Sequence, residues 1–356
     1  KILAFGDEHI SSYHQFSKIQ PTGFSVRESE HLLIAKQIVE YMKKYEGTLE
    51  SIVFLGDLLH PVGTNISCDN LLTATEFIRI IQEECIRQNI IFYMLVGNHD
   101  QNATTGNVHS HKLIPFKYYQ NIKVIDQLSE IDGYVFLPHV TNNESYIDSY
   151  LNSITNKNQK IVFSHLDIRG ATLFGDIVCD KGIKFDALSE FKVVLQGHFH
   201  VPQKLGSNVW VSGSTHRTSF KDPGGGTLLV YDTDTNTVSR EKFNVPNWYT
   251  FEDDNISDVL SLDPNNYVKL ILSSDLMLSI NNISKEWLTS RFKGVEIMYD
   301  VERISLKKLK RSEQDLEVET PEEIIRSFIN SSQNIEESNK EDLIKTGLDL
   351  ISRVKR

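Results

Sequence analysis

Residues able to bind metal ions are concentrated in five short segments of this sequence. Imidazole nitrogens and carboxylate or amide oxygens recur in them, and these are donor atoms that proteins use for divalent cations. The segments are Asp7 to His9, Gly56 to His60, Gly97 to Asp100, His165, and Gly197 to His200. A single Asp-x-His or Gly-Asp could equally be a turn or a helix cap. Five such segments in succession predict a site for two metal ions, which suits in-line displacement at phosphorus.

The spacing of these residues indicates how two ions would share them. Asp7 and His9 are two positions apart at a strand end, so they can project to the same side, and His198 and His200 repeat that spacing. Asp57 is the natural bridging carboxylate. We expect one ion to be held by Asp7, His9, Asp57 and His200. We expect the second ion to be held by Asp57, Asn98, His165 and His198.

Two further histidines are candidates for catalysis. His99 directly follows Asn98 and should overhang the site without binding a metal ion. It could protonate the leaving oxygen or stabilise the charge at phosphorus. His60, three positions after Asp57, could orient His99 or contact a substrate phosphate. Four other histidines are expected to be ordinary core or surface residues: His14, His31, His139 and His216. Whether His109 and His111 contact the substrate is left open.

An apolar run precedes each of the five segments. Such runs are typical of buried strands, and the carboxyl ends of parallel strands form the edge of a sheet where ligands bind. The runs are Ile2 to Phe5, Ile52 to Leu55, Ile91 to Val96, Ile161 to Phe163, and Val193 to Leu195. We therefore expect all five segments to lie at strand ends along one edge.

The intervals between these runs carry helix and hairpin patterns. Glu28 to Tyr45 and Leu71 to Arg87 have apolar residues at helical spacing, and Val209 to Phe243 contains short strands with Gly and Asp turns. These patterns predict an α/β fold in which two sheets face each other with helices outside, a four-layer α-β-β-α sandwich. A small α/β unit should follow, with a strand at Tyr267 to Leu272 and another at Val295 to Asp300.

These motifs resemble those of the calcineurin-like metallophosphoesterases. More narrowly, they are similar to the SbcD-type nuclease subunit of double-strand-break-repair complexes in bacteria, archaea and phages. Gly97 to Asp100 and Gly56 to His60 favour that branch, because the protein Ser/Thr phosphatases carry Gly-Asn-His-Glu, and Asp-Arg-Gly in place of His60 to Val62. Specific motifs carry the resemblance over residues 1–250, whereas the remaining residues resemble the family only in the order of their predicted elements.

The first segment departs from the family pattern. Glu8 stands where many relatives have Trp or Thr. Strand alternation predicts that it points away from Asp7 and His9 and has little effect on metal binding. Ile10 and Ser11 replace the family's Leu-Gly, which puts the shape of the following loop in doubt.

The resemblance implies three domains and a protein partner. We expect a metallophosphoesterase (nuclease) domain at 1–250, a capping domain at 251–312 and a helical region at 313–356. Thr320 to Glu323 and Ser338 to Glu341 are capping boxes, each followed by an apolar stripe. In the family, such a helical pair binds the coiled coil of an SbcC-like ABC-type ATPase, and the alternative is docking on this chain itself. A homodimer would form through catalytic-domain helices near residues 65–110.

Composition sets limits on these expectations. The net charge of −11 is a mild argument against nucleic-acid binding, although metal ions and local basic patches can offset it. The three cysteines are scattered along the chain: Cys68, Cys85 and Cys179. This pattern indicates a reducing cytoplasm and argues against a structural zinc site. Apolar runs are too short for a membrane span. We expect a cytoplasmic, DNA-associated protein.

The function predicted by the resemblance is a two-metal DNA nuclease, a 3′→5′ exonuclease with single-strand endonuclease activity. Mn²⁺ is the expected cofactor, with Mg²⁺ as the alternative. Three other interpretations remain open at this point. The same metal pair could serve a phosphomonoesterase or cyclic-nucleotide phosphodiesterase, the chain could be a DNA-tethering scaffold with vestigial activity, or the metal ions could be purely structural.

Overall fold

The computed structural model describes residues 1–13, 15–60, 66–101, 110–140, 144–175, 177–274, 276–300, 340–346 and 348. The described residues fall into two compact units. One lies within Lys1–Ile271 and Asp275–Met298, and the other within Leu272–Ser274 and Tyr299–Arg356. The domain boundaries predicted at residues 250 and 312 stay predictions.

The strands of the described residues are mostly short. In chain order they are β1 (Ile2–Phe5), β2 (Ser51–Phe54), β3 (Ile91–Leu95), β4 (Ile122–Ile125), β5 (Ser129–Ile131), β6 (Tyr134–Leu137), β7 (Ile161–Ser164), β8 (Thr172–Phe174), β9 (Ile177–Val178), β10 (Val193–Gln196), β11 (Gln203–Leu205), β12 (Val209–Val211), β13 (Thr227–Asp232), β14 (Thr237–Lys242), β15 (Trp248–Glu252), β16 (Tyr267–Leu272) and β17 (Gly294–Tyr299).

The helices connect these strands. They are α1 (Val26–Lys44), α2 (Cys68–Gln88), α3 (Glu144–Ser153), α4 (Leu276–Ile280) and α5 (Lys285–Arg291), with 3₁₀ helices at Ile114–Tyr118, Lys157–Gln159, Phe185–Leu188 and Asp253–Ser261. Both long helices begin a few residues before the apolar spacing predicted, because each starts at a serine cap. Ser25 and Glu28 form a capping box at α1, and the Ser67 hydroxyl accepts the N–H of Asn70 at α2.

Two six-stranded sheets form the body of the first unit. Their strand orders are β14-β13-β1-β2-β3-β4 and β11-β12-β10-β7-β6-β5. The strands β1, β2, β3 and β4 pair in parallel in one sheet, and β6, β7, β10 and β12 do so in the other. A three-stranded sheet, β15-β16-β17, occupies the region where a small α/β unit was predicted.

Successive side chains of the strands face opposite sides of their sheet, as they do in a sandwich. In β1, Ile2 and Ala4 belong to the cluster between the two sheets, together with Phe136 and Phe163 of the second sheet. The neighbouring side chains of β1 face α1 and α2 in a second cluster, and α3 packs on the outer face of the other sheet. The predicted four-layer α/β sandwich is therefore confirmed.

The carboxyl-terminal prediction is covered only in part. Residues 340–346 and 348 are helical, and Ile344 is buried. The rest of the predicted helical pair, including Thr320 to Glu323, lies outside the described residues. Within the described part of the chain, no helix combines the length and apolarity needed to cross a bilayer.

Candidate metal centre

The five metal-binding segments converge from both sheets. They follow β1, β2 and β3 in one sheet and β7 and β10 in the other, each at the carboxyl end of its strand. Backbone bonds join the first two segments, since the N–H of Asp7 donates to Gly56 O at 2.9 Å and that of His9 to Asp57 O at 3.1 Å. Across the sandwich, the N–H of His198 donates to Asp7 Oδ2 at 2.9 Å. The five segments that were predicted to lie at strand ends therefore meet in one site.

Left-handed backbone shapes this site. Asp7, His9, Asp57 and His198 have φ values of 56°, 50°, 61° and 71°. Asp and His adopt this region more readily than most residues, although strained positions of this kind cost on the order of 1–3 kcal/mol each. Asp7 and His9 do share a side, but the reason is this loop conformation and not the strand alternation we expected.

Two glycines allow the strand ends to approach. A Cβ at Gly97 would overlap the Asp57 carboxylate, and a Cβ at Gly56 would overlap the His165 ring. Gly56 also has a φ of 106°, which side chains rarely adopt. Close packing therefore requires the glycine before Asp57 and the glycine before Asn98.

The first predicted set of ligands is brought together. Asp7, His9 and His200 place donor atoms within 4.8 Å of one another. The Nε2 atoms of His9 and His200 are 3.0 Å apart, and His9 Nε2 lies 4.0 Å from Asp7 Oδ1. Asp7 Oδ1 is buried and makes no hydrogen bond. A buried carboxylate oxygen facing two imidazole nitrogens fits a divalent cation between them.

The second predicted set is equally close. Asp57, His165 and His198 form a cluster within the same limit of 4.8 Å. Asn98 Oδ1 lies 3.0 Å from both His165 Nε2 and His198 Nδ1. This amide oxygen adds a neutral donor beside the cluster, where we expected Asn98 to contribute to the second ion.

Asp57 lies between the two sets. Its Oδ2 is 3.8 Å from His9 Nε2 and 3.3 Å from His165 Nε2, and its Oδ1 accepts the N–H of His99 at 2.8 Å. A single carboxylate shared between two clusters of N and O donors suits a pair of divalent ions. The residues present therefore fit the predicted metal pair. The individual ligand roles stay predictions.

Outer partners fix the orientation of three imidazoles. His165 Nδ1 donates to Leu55 O at 2.6 Å, so its Nε2 faces the site. His198 Nε2 lies 2.9 Å from Asp167 Oδ1, and His200 Nδ1 lies 3.1 Å from Asp222 Oδ1. Such contacts set the tautomer of a metal-binding histidine and raise its basicity.

Neither of these two carboxylates was predicted from the sequence. Asp167 is two residues after His165, a spacing that could have singled it out. Asp222 has no comparable signal, because it meets His200 only through the fold of the segment after β12. Burial alone would favour a neutral Asp222, but its hydrogen bond to His200 and the charge of that ring lower its pKa.

Nearby carboxylates favour the protonated forms of two of these histidines, His165 and His200. Burial disfavours the charged ring of His165, but the Asp57 carboxylate outweighs it and raises the pKa of His165 to about 9. Burial also opposes the charge on His200, whereas Asp222 and Asp7 raise its pKa to about 8. Because an imidazole must be neutral to bind a metal ion, metal binding at these two residues displaces protons.

The Asp100 carboxylate supports the loop that carries Asp57 by accepting hydrogen bonds from its backbone. This fully buried carboxylate accepts the N–H of Asp57 and of Gly97 on Oδ2, at 2.9 and 3.0 Å. Its Oδ1 accepts the N–H of Leu58 at 3.0 Å and of Leu59 at 3.3 Å. Asp100 therefore holds together the two loops that carry Asp57 and Asn98.

Replacing Asp100 by asparagine is expected to weaken metal binding and hydrolysis by roughly 10–100-fold, as for other partners that orient ligands. The amide NH₂ cannot accept the backbone N–H groups that one carboxylate oxygen accepts now. Mn²⁺ affinity by calorimetry and the hydrolysis rate should fall together. Unchanged affinity and rate in a folded D100N protein would exclude this supporting role.

His99 and His60 lie beside the first ligand set. His99 Nδ1 donates to the main-chain oxygen of His60 at 2.6 Å, and the two rings stack with centroids 5.5 Å apart. The His99 ring is also nearly perpendicular to the His9 ring, with the two centroids 4.7 Å apart. The contact that orients His99 thus comes from the main chain of His60, whose ring is exposed. The catalytic roles of both histidines stay predictions.

The remaining histidines are distributed differently. His31 and His216 are buried together beside Glu8, a residue that was not among the predicted ligands. The ring of His139 lies 6.3 Å from that of His198, and buried His111 lies 3.3 Å from Asp126. Two histidines named in the sequence analysis fall outside the described residues: His14 and His109.

Residues 1–202 match the model of the calcineurin-like phosphoesterase family. This match covers more than half of the 356 residues, and the chain belongs to that family. It is therefore a metal-dependent phosphoester hydrolase, and the coarser part of the predicted resemblance is confirmed. None of the curated proteins matches this chain.

Proposed function

We propose that this chain is a two-metal DNA nuclease of the SbcD type, acting as a 3′→5′ exonuclease and single-strand endonuclease. The observation that carries the proposal is the linkage of its two SbcD-like segments. His99, from Gly97 to Asp100, donates through its main-chain N–H to Asp57 and through its ring to the carbonyl of His60. The linkage joins the His99 ring to the loop that carries Asp57, and a ring held in this way can act as the general acid that cleavage of a phosphodiester with a poor leaving group needs.

The side chains of the site have distinct tasks in this reaction. Two bound divalent ions would supply the clamp on the attacking and leaving oxygens. Asp57 would be shared by both ions, and the outer partners of His165, His198 and His200 hold those rings in ligating orientation. As an imidazolium, His99 would keep its Nδ1–H on His60 O and would donate the Nε2 proton to the departing 3′ oxygen, leaving the neutral ring.

Mn²⁺ is the cofactor we propose, with Mg²⁺ as the alternative. The donor set mixes several imidazole nitrogens with carboxylate and amide oxygens. Imidazole suits transition metals such as Zn, Cu, Fe and Ni, whereas Mg²⁺ prefers oxygen ligands. The many histidines therefore disfavour Mg²⁺, and the choice of Mn²⁺ among the other ions comes from the resemblance to the SbcD-type nucleases.

The test is cleavage of DNA labelled at its 5′ or 3′ end, as duplex and as single strand, in Mn²⁺, Mg²⁺ and EDTA. We expect degradation in Mn²⁺ and none in EDTA. Early release of mononucleotides from the 3′ label would establish the polarity. Nitrophenyl phosphate and bis(nitrophenyl) phosphate, assayed alongside, compare monoester with diester hydrolysis.

One observation favours a second function on the same metal pair. The net charge of −11 disfavours binding to a polyanion, so a phosphomonoesterase or cyclic-nucleotide phosphodiesterase is the alternative. Strong monoester turnover without DNA cleavage in the same assay would support that alternative and contradict the nuclease.

The partnership with an SbcC-like ABC-type ATPase is proposed from the layout of the carboxyl-terminal capping boxes, and a homodimer from the resemblance. Co-purification of the full chain with such an ATPase tests the first. If a variant with Leu348 and Ile344 replaced by aspartate still co-purified with the ATPase, binding through these helices would be contradicted. Sedimentation of the chain alone tests the dimer.

A further inference from the structure

Glu8 is fully buried although it stands between two predicted metal ligands, Asp7 and His9. Its carboxylate is directed to other elements of the fold. Oε1 lies 2.6 Å from His31 Nδ1 of α1, and Oε2 accepts the Thr215 hydroxyl at 2.5 Å. One side chain thus joins the loop after β1, helix α1 and the segment after β12.

We propose that Glu8 and His31 are positioning residues for the first metal ion. They hold the loop after β1 in the conformation that directs Asp7 and His9 to the metal. The proposal extends the family's known hydrolysis and does not depend on the substrate being DNA.

The backbone of this loop needs such support. Asp7 and His9 both have left-handed φ values, of 56° and 50°, which a free loop would leave. Main-chain bonds to Gly56 and Asp57 fix it on the sheet side. Glu8 is the residue between the two strained positions, so its anchoring restricts rotation at both.

Helix α1 supports the loop at a second point. The Tyr13 hydroxyl donates to His9 O at 2.6 Å. The Tyr13 ring in turn lies under the guanidinium of buried Arg27, with the Cζ atom 4.5 Å from the ring centroid. His31 and Arg27 are both on α1, so that helix supports the loop at Glu8 directly and at His9 through Tyr13.

A third metal ion is the competing explanation for this cluster. Glu8, His31 and His216 place donor atoms within 4.8 Å of one another. However, two ligands of one ion, each about 2.0–2.2 Å from it, lie about 3 Å or more apart. The separation of 2.6 Å between Glu8 and His31 is that of a direct hydrogen bond. His216 Nδ1 is 3.9 Å from Glu8 and only 3.2 Å from the Thr215 hydroxyl.

The test compares two substitutions of His31 in the full chain, with Mn²⁺ alone as the probe. In His31→Asn the amide can replace the Nδ1 donor, whereas His31→Leu removes it. We expect His31→Leu to weaken binding of one Mn²⁺ by roughly 10–100-fold and to leave the other unchanged. His31→Asn should restore most of that affinity. Glu8→Gln and Glu8→Met form a second pair with the same expectation.

A packing control separates positioning from general destabilisation. Ile38→Ala removes a buried side chain of the same helix that belongs to the apolar cluster. Its melting temperature should fall while both Mn²⁺ affinities persist. Equal loss of Mn²⁺ affinity in this control and in His31→Leu would overturn the proposal. So would a third Mn²⁺ in the saturated wild-type chain that disappears in His31→Leu, or failure of both conservative variants to restore binding.

Discussion

Replacing Asp57 by asparagine is expected to abolish phosphoester hydrolysis and to weaken binding of both metal ions. Its Oδ2 lies between His9 Nε2 and His165 Nε2, so the substitution removes a charge that both ligand sets share. The loss should exceed the roughly 10–100-fold expected for an outer partner such as Asp100. Metal affinity by calorimetry and hydrolysis of bis(nitrophenyl) phosphate measure the two effects.

The side chain introduced by Asp57→Asn keeps an oxygen able to accept the N–H of His99, so the loop itself should remain in place. Asp132→Asn is the matched control, because Asp132 is a partly exposed carboxylate paired with Lys123 at the turn between β5 and β6. It should retain full activity. Two Mn²⁺ ions bound to D57N with wild-type affinity would show that Asp57 is not the bridging ligand.

Replacing His99 by alanine is expected to reduce the rate of hydrolysis by about 10²–10⁴-fold, the contribution usual for a positioned acid or base. Metal affinity should change little, because His99 N donates to Asp57 from the main chain, which alanine preserves. Rates at saturating Mn²⁺, measured together with Mn²⁺ affinity, separate the two properties. Equal loss of both would identify His99 as a metal ligand.

His60→Ala distinguishes the two tasks predicted for His60. Alanine keeps the main-chain oxygen that accepts from His99 Nδ1 and removes only the exposed ring. If His60 acts through its main chain, the rate should remain close to that of the wild type. A higher KM with unchanged metal affinity would instead show that the ring contacts substrate.

Much of the fold could be predicted from local sequence patterns. The apolar runs Ile2 to Phe5 and Val193 to Leu195 coincide with β1 and most of β10, because a strand buried on both faces is marked by an uninterrupted apolar run. Helix starts were less accurate. Ser25 and Ser67 fix them through hydrogen bonds, and polar residues at a helix start do not disturb the apolar spacing that the prediction used.

The candidate site was likewise predicted only in part. The predicted ligands could be identified from sequence because each follows a strand, and parallel strands in one sheet end along one edge. The conformation of the loops could not. Asp7 and His9 face the site through left-handed φ values, which depend on Glu8 being held by His31, a residue assigned to the ordinary core.

The sequence by itself determined the class of chemistry, since donor type and strand-end position are local properties. Only the tertiary structure decided which residues orient those donors. Asp222 reaches His200 across 22 residues, Asp100 reaches Asp57 across 43, and Thr215 reaches Glu8 across 207. Hydrogen bonds between residues so far apart leave no periodic pattern in the chain, because they depend on how the two sheets and α1 pack together.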